Sequence, residues 1–194
     1  MKQFITRKGS IDCGHRVMNH AFACNNYHGH TYLYELKFGF DSVEDIGYAV
    51  DFKEIKRIGV AWMLDFLDHG FVANPKDKDI ITLVKNNNMK LWLMSINGKE
   101  QDCNPTAENM AKEIFLAMEI LFDHIKDFSL YELVLYETPN NFTTCYHTSI
   151  STTERNNFRS IHKKSILEYA ASKGEVVYDV REDKSEHNNE SCEE

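Results

Sequence analysis

The sequence predicts an α+β fold built around an antiparallel sheet, and three observations carry that prediction. Strand-forming stretches open the chain at 4–13 and 32–40, two more follow at 130–136 and 144–150, and helical periodicity occupies 51–64 and 104–125. In the first stretch polar and apolar residues mix without helical period, and the second, Tyr32 to Phe40, is rich in strand formers. They read as antiparallel partners joined by a loop from Arg16 to His28. That loop is too long for a tight turn and carries Asn19, Cys24, Asn25 and Asn26; loops of this length are often functional.

The first helix opens at Asp51, a suitable N-cap, with apolar residues at 52, 55, 58 and 62 near helical spacing. Residues 74–79 read as a polar loop and 89–96 as a strand closed by the Asn97-Gly98 turn. Asn104-Pro105-Thr106 opens a second helix running to about Ile125, with Pro105 in its first turn. A further helix is expected over about 153–171. The domain organisation expected is one unit over 1–152 with an insertion at about 75–103, a helical extension over 153–178, and a disordered acidic tail at 179–194.

At 194 residues, with 42% hydrophobic and 12% aromatic residues, the chain has enough apolar material for one well-filled core. Thirty acidic against 22 basic residues leave a formal charge of -8, which argues against a nucleic-acid surface as its main business. No apolar run reaches the length of a membrane span or a signal peptide, so a cytoplasmic protein without membrane partners is expected. Five irregularly spaced cysteines point to reduced thiols rather than a disulfide framework.

The strongest local signal is Cys24-Asn25-Asn26-Tyr27-His28-Gly29-His30, leading directly into a strand. Alternation along a strand puts the imidazoles of His28 and His30 on one face, where two can grip one ion. His15, ending the first strand, is the natural third ligand of an open zinc site, with His20 its nearest competitor. A cation nearby would favour the Cys24 thiolate as base or nucleophile; Cys13 shares the face of His15 and rivals Cys24 for the metal. Asp68-His69 pairs a carboxylate with an imidazole and suits proton transfer. Glu137, at a strand end, can accept two parallel hydrogen bonds from an amino-pyrimidinone edge.

Taken in order, these motifs resemble the family of 6-pyruvoyl-tetrahydropterin synthases and bacterial 6-carboxy-tetrahydropterin synthases over roughly residues 4–150. The resemblance rests on His15-Arg16, Cys-x-x-x-His-Gly-His, Val50-Asp51-Phe52, Leu67-Asp68-His69, Asn104-Pro105-Thr106-Ala107-Glu108-Asn109 and Glu137-Thr138. It implies the tunnelling fold, a four-stranded antiparallel sheet with helices on one face, whose copies join their sheets into a barrel. It further implies zinc on His15, His28 and His30, and a catalytic set of Cys24, Asp68 and His69. Glu137, with Thr106, would anchor a pterin; the charge of a triphosphate needs basic partners, which Arg16, Lys8 or a neighbouring subunit would supply. Active sites would lie between copies of a trimer-based homo-oligomer or a hexamer.

The chain departs from the family pattern at Cys13-Gly14, in the extra sequence after His69, and in the extension after Ile150. Three residues separate Cys24 from His28, as in the carboxy-forming group. The resemblance therefore implies conversion of 7,8-dihydroneopterin triphosphate to 6-carboxytetrahydropterin with release of acetaldehyde and triphosphate, in synthesis of queuosine or another 7-deazaguanine. The alternatives are a pyruvoyl-forming or sepiapterin-cleaving enzyme, and a zinc- or pterin-binding protein without turnover.

Overall fold

A computed structural model describes residues 2–174. The expected first hairpin forms from β1 (Gln3–His15) and β2 (His28–Phe40), paired antiparallel along their whole length with His15 opposite His28. β5 (Phe128–Thr138) lies antiparallel to β2, and β6 (Asn141–Tyr146) to β5, completing the four antiparallel strands. The last strand begins earlier than 144–150, because the Thr138 hydroxyl accepts from the Asn141 amide at 3.1 Å and closes a tight turn. It ends at Tyr146, where the chain enters a 3₁₀ turn over His147–Ser149.

The sheet extends further than the sequence suggested. β3 (Gly70–Ala73) joins the end of β1 in parallel, and β4 (Leu91–Leu93) joins β3 in parallel, giving a mixed six-stranded sheet in the order β4-β3-β1-β2-β5-β6. The strand expected over 89–96 thus shrinks to three residues. Between β3 and β4 runs α3 (Lys78–Asn86), unforeseen because the polar residues 74–79 that read as a loop include its cap, Asp77, whose carboxylate accepts from the Ile80 amide. A parallel pair needs such a crossover.

The helices pack on one face. The first begins as α1 (Phe52–Glu54), capped by Asp51 as expected, widens into a π-helical turn over Ile55–Val60, and continues as α2 (Ala61–Phe66). Gly59 sits in the widened turn, where a Cβ would lie 2.9 Å from Met118 Sδ and 3.0 Å from the Phe122 ring. Only glycine lets this helix approach α4 (Ala107–Phe122) so closely. Thr106 caps α4, so Pro105 stands just outside the helix rather than in its first turn. Phe115, Leu116, Ala117, Met118 and Leu121 of α4 are fully buried against Leu36, Phe38, Leu133 and Leu135 of the sheet. Each large side chain so buried contributes roughly 1.5–3 kcal/mol.

The expected C-terminal helix is α5 (Thr152–Ser172), opened by a reciprocal Ser151–Glu154 cap. It buries Phe158 and Ile166, ties Lys112 to Glu154 at 2.6 Å, and ties the Tyr169 hydroxyl to Asp65 at 2.5 Å. The tail at 179–194 and the end of the helical extension lie outside the described residues. No helix among the described residues is long and apolar enough to cross a membrane.

On α5, His162 stacks on Trp92 with centroids 4.4 Å apart, its Nε2 buried without a partner. Burial alone pushes its pKa down from 6.5 to about 4. The unfolded chain therefore takes up this proton first, and the stability present above pH 6.5 declines as the pH falls toward 4. The expected loss is about 2 kcal/mol between pH 7.5 and 5. In His162→Phe, which keeps the stack, urea midpoints should lose that component of the pH dependence; an unchanged dependence would refute it.

Candidate active site

The hairpin register builds the site. His28, His30 and Tyr32 alternate along β2 onto the helix-covered face, and His15 on β1 lies directly across from His28. The three imidazoles converge, with centroids 4.5, 5.3 and 5.0 Å apart and one ring nitrogen from each within 4.8 Å of the others. His15 is fully buried and donates Nδ1–H to the Pro105 carbonyl at 2.7 Å; His28 donates Nδ1–H to the Asn26 carbonyl at 2.8 Å. A carbonyl can only accept, so both rings carry their proton on Nδ1 and present Nε2 as a lone pair. Burial, reinforced by the other two imidazoles, lowers the pKa of His15 to about 4 and keeps it neutral. Three converging imidazoles, two of them oriented by a backbone carbonyl on Nδ1, are a donor set that fits zinc.

Glu137, at the end of β5, turns its carboxylate toward this cluster, 3.7 Å from His15 Nε2 and 3.8 Å from His30 Nε2. Thr106 follows Pro105, the residue that orients His15, and its hydroxyl caps α4 by accepting from the Asn109 amide at 3.4 Å. Cys24 sits half-buried in a single 3₁₀ turn (Ala23–Asn25), where its carbonyl accepts from the Val17 amide at 2.8 Å. Cys13, by contrast, is buried, and burial pushes its thiol up to about 12. That leaves Cys24 the better placed of the two for thiolate chemistry.

Asp68 and His69 form a separate cluster with Asp12. The Asp68 carboxylate accepts from His69 Nδ1 at 2.8 Å and from the Asp12 amide at 2.7 Å, while the His69 amide donates to the Asp12 carbonyl at 2.6 Å. Lys90 Nζ donates to the Leu64 and Asp68 carbonyls, both at 2.8 Å, and so pins the turn that holds His69 at φ +53°. His69 stays exposed, in an open groove whose walls include His30 and Thr31. Within one chain the structure therefore joins the three histidines with Glu137, and sets the Asp68–His69 pair in a cluster of its own.

Arg16 is engaged elsewhere. Its guanidinium grips the buried carboxylate of Asp77 with two hydrogen bonds, the Nη2 one at 2.7 Å, and lies over the Tyr27 ring 4.5 Å from its centroid. Lys8 pairs with Glu35 at 2.8 Å. Sequence reasoning had not singled out Tyr32, whose hydroxyl lies 3.1 Å from His15 Nε2. The alternation that joins His28 to His30 reaches Tyr32 next and was the available signal.

Comparison with known proteins gives the family and the fold. The chain is 32% identical over 142 residues to the 6-carboxy-5,6,7,8-tetrahydropterin synthase of Rickettsia conorii, covering 71% of this chain and 95% of that one. It is 28% identical over 150 residues to the 6-pyruvoyl tetrahydrobiopterin synthase of Dictyostelium discoideum, at 71% and 91% coverage. The solved structure of Caenorhabditis elegans 6-pyruvoyl tetrahydropterin synthase superposes with a TM-score of 0.52 at 21% identity, over 75% of this chain and 96% of that one, a likeness of fold. A family model described as 6-pyruvoyl tetrahydropterin synthase matches residues 4–148, up to but not including α5. With the histidine hairpin in register and the match running through Glu137, this chain belongs to the 6-pyruvoyl tetrahydropterin synthase family.

Proposed function

We propose that the chain is a zinc-dependent 6-carboxy-5,6,7,8-tetrahydropterin synthase, acting on 7,8-dihydroneopterin triphosphate with release of acetaldehyde and triphosphate. The observation that carries this reading is the Glu137 carboxylate lying 3.7–3.8 Å from two of three converging imidazoles. A carboxylate there can hold the amino-pyrimidinone edge of a pterin beside a metal site. The choice of the carboxy-forming reaction is supported by the three-residue spacing from Cys24 to His28 and by the name of the Rickettsia relative.

His15, His28 and His30 would hold zinc, which supplies Lewis acidity toward the substrate's side-chain oxygens. Glu137, helped by Thr106, orients the ring. Cys24 removes a proton from the side chain, and the Asp68–His69 pair returns one. Since that pair forms its own cluster within the chain, we place it at the Cys24 of a neighbouring copy, in a trimer-based homo-oligomer or hexamer with sites between subunits. The triphosphate contacts we propose are Arg16, Lys8 or basic residues of a neighbouring copy; Arg16 and Lys8 would exchange Asp77 and Glu35 for the phosphates. We assign residues 1–152 to the catalytic unit and the helix after it to an added extension, and place the enzyme in the cytoplasm, feeding 7-deazaguanine synthesis.

The test is product analysis on 7,8-dihydroneopterin triphosphate, with and without chelation. Acetaldehyde should form in step with 6-carboxytetrahydropterin, cease after chelation and return with zinc. A 6-pyruvoyl product without acetaldehyde would move the chain to the pyruvoyl-forming activity, and turnover insensitive to chelation would remove the zinc requirement.

A further inference from the structure

From Asn19 to Tyr27 every residue but Cys24 is exposed, so packing against the core does little to place this loop. Hydrogen bonds place it instead. At the root of the loop the Asn104 side chain meets the Met18 backbone twice: Oδ1 accepts from the Met18 amide at 2.9 Å, and Nδ2 donates to the Met18 carbonyl at 3.0 Å. A backbone N–H can only donate and a carbonyl only accept, so this pairing admits one orientation of the Asn104 amide. Asn74, itself buried, reinforces it by donating from Nδ2 to Asn104 Oδ1 at 2.9 Å. Asn74 is held in turn by the Asp102 carboxylate and by the Lys76 amide, which donates to its Oδ1 at 3.0 Å.

The chain neighbours of this pairing belong to the candidate active site. Val17, beside Met18, donates its amide to the Cys24 carbonyl at 2.8 Å, and Pro105, beside Asn104, accepts from His15 Nδ1 at 2.7 Å. The dipeptide that leads into α4 thus orients a histidine through its backbone and the cysteine loop through a side chain. We infer that Asn104 is a positioning residue for Cys24: by pairing with Met18 it sets where the thiol stands relative to the three histidines. This rests on the reading of Cys24 as the group that removes a proton. A shift of about 1 Å in such a group costs on the order of 10²-fold in rate, without a matching loss of substrate binding.

The experiment compares four full-length chains: unmodified, Asn104→Asp, Cys24→Ala, and the two substitutions together. Turnover is measured on 7,8-dihydroneopterin triphosphate, and Zn2+ affinity by chelator competition. Aspartate keeps the size and the acceptor but sets an oxygen against the Met18 carbonyl where an N–H donor stood. Asn104→Asp should hold Zn2+ within about threefold of the unmodified affinity, keep KM within about twofold, and lose about 10–100-fold in kcat. In the Cys24→Ala background the same substitution should change kcat by less than about twofold, because a residue that acts through the thiol has nothing left to position. A merely structural role would cost the same in both backgrounds.

Equal losses of kcat with and without the thiol overturn the inference while leaving Cys24 in the chemistry. So does an Asn104→Asp chain of unchanged kcat, or one that loses Zn2+ in step with its activity. Full turnover by Cys24→Ala overturns the reading of Cys24, and the inference with it. Asn104→Ala, which removes the amide without adding charge, is compared in the same two backgrounds should Asn104→Asp fail to fold. Failure of both to fold would make Asn104 a residue of the fold alone and overturn the inference.

Discussion

Cys24→Ala is expected to lower kcat on 7,8-dihydroneopterin triphosphate by about 10²–10⁴-fold, the range that one positioned proton-transfer group supplies. Zinc content and melting temperature should change little. Cys24 is half-buried in a short turn outside the core, and its thiol is not a member of the three-histidine cluster. The test is single-turnover product formation by a variant confirmed to hold its metal. Full turnover would remove Cys24 from the chemistry and return attention to Asp68 and His69. A fall in activity accompanied by loss of zinc would instead give the residue a role in holding the site together.

The largest effect on stability is expected at Glu113, a residue with no part in that chemistry. It is buried in the middle of α4 and accepts four hydrogen bonds. Trp92 Nε1 donates to Oε2 at 2.6 Å, while the Ser95 amide, the Ser95 hydroxyl at 3.1 Å and the Ile96 amide at 2.9 Å converge on Oε1. Burial pushes the carboxyl up to about 7 against the pull of these donors. This one side chain binds the segment after β4 to the helical layer.

Glutamine has the right shape but only one acceptor oxygen, so its NH₂ would face either the Trp92 N–H or the donors from Ser95 and Ile96. Leaving such donors buried and unpaired costs about 2–4 kcal/mol, a fall in melting temperature of roughly 5–15 °C for a chain of this size. Thermal unfolding of Glu113→Gln checks it. A shift under about 2 °C would mean that water or local rearrangement satisfies the freed donors.

Some of this was legible in the sequence. The absence of helical period over 4–13 and the strand formers of 32–40 gave β1 and β2, and alternation gave the shared face of His28 and His30; His15 joins them through the register of the hairpin, which one buried face strongly specifies. Capping chemistry gave Asp51 as one helix start and placed the start at Thr106 within a residue or two. β4 lies inside the strand read over 89–96, but β3 and the parallel pairing were not legible: β3 is four residues long and its partners lie far along the chain, so no local signal distinguishes it from loop.

Glu113 was hidden for another reason. A carboxylate within a helix reads as a solvated position until the segment from Trp92 to Ile96 is laid over it. The apartness of the Asp68–His69 pair was equally out of reach, since sequence order says nothing about which cluster a turn joins. Lys90, which pins that turn, comes from the stretch expected to be an insertion.

The bond from His15 to the Pro105 carbonyl bears on the order in which the molecule matures. The three imidazoles belong to one hairpin, whose ends meet within a short span of chain, whereas Pro105 lies 90 residues beyond His15. A nascent hairpin can gather the imidazoles early, but nothing then fixes which nitrogen of His15 bears the proton. Docking of α4 supplies the carbonyl that settles it. Metal capture should accordingly proceed in two stages, loose while only the hairpin has formed and tight once α4 is seated, so that the rate at which a refolding chain acquires slow metal exchange reports the arrival of that helix.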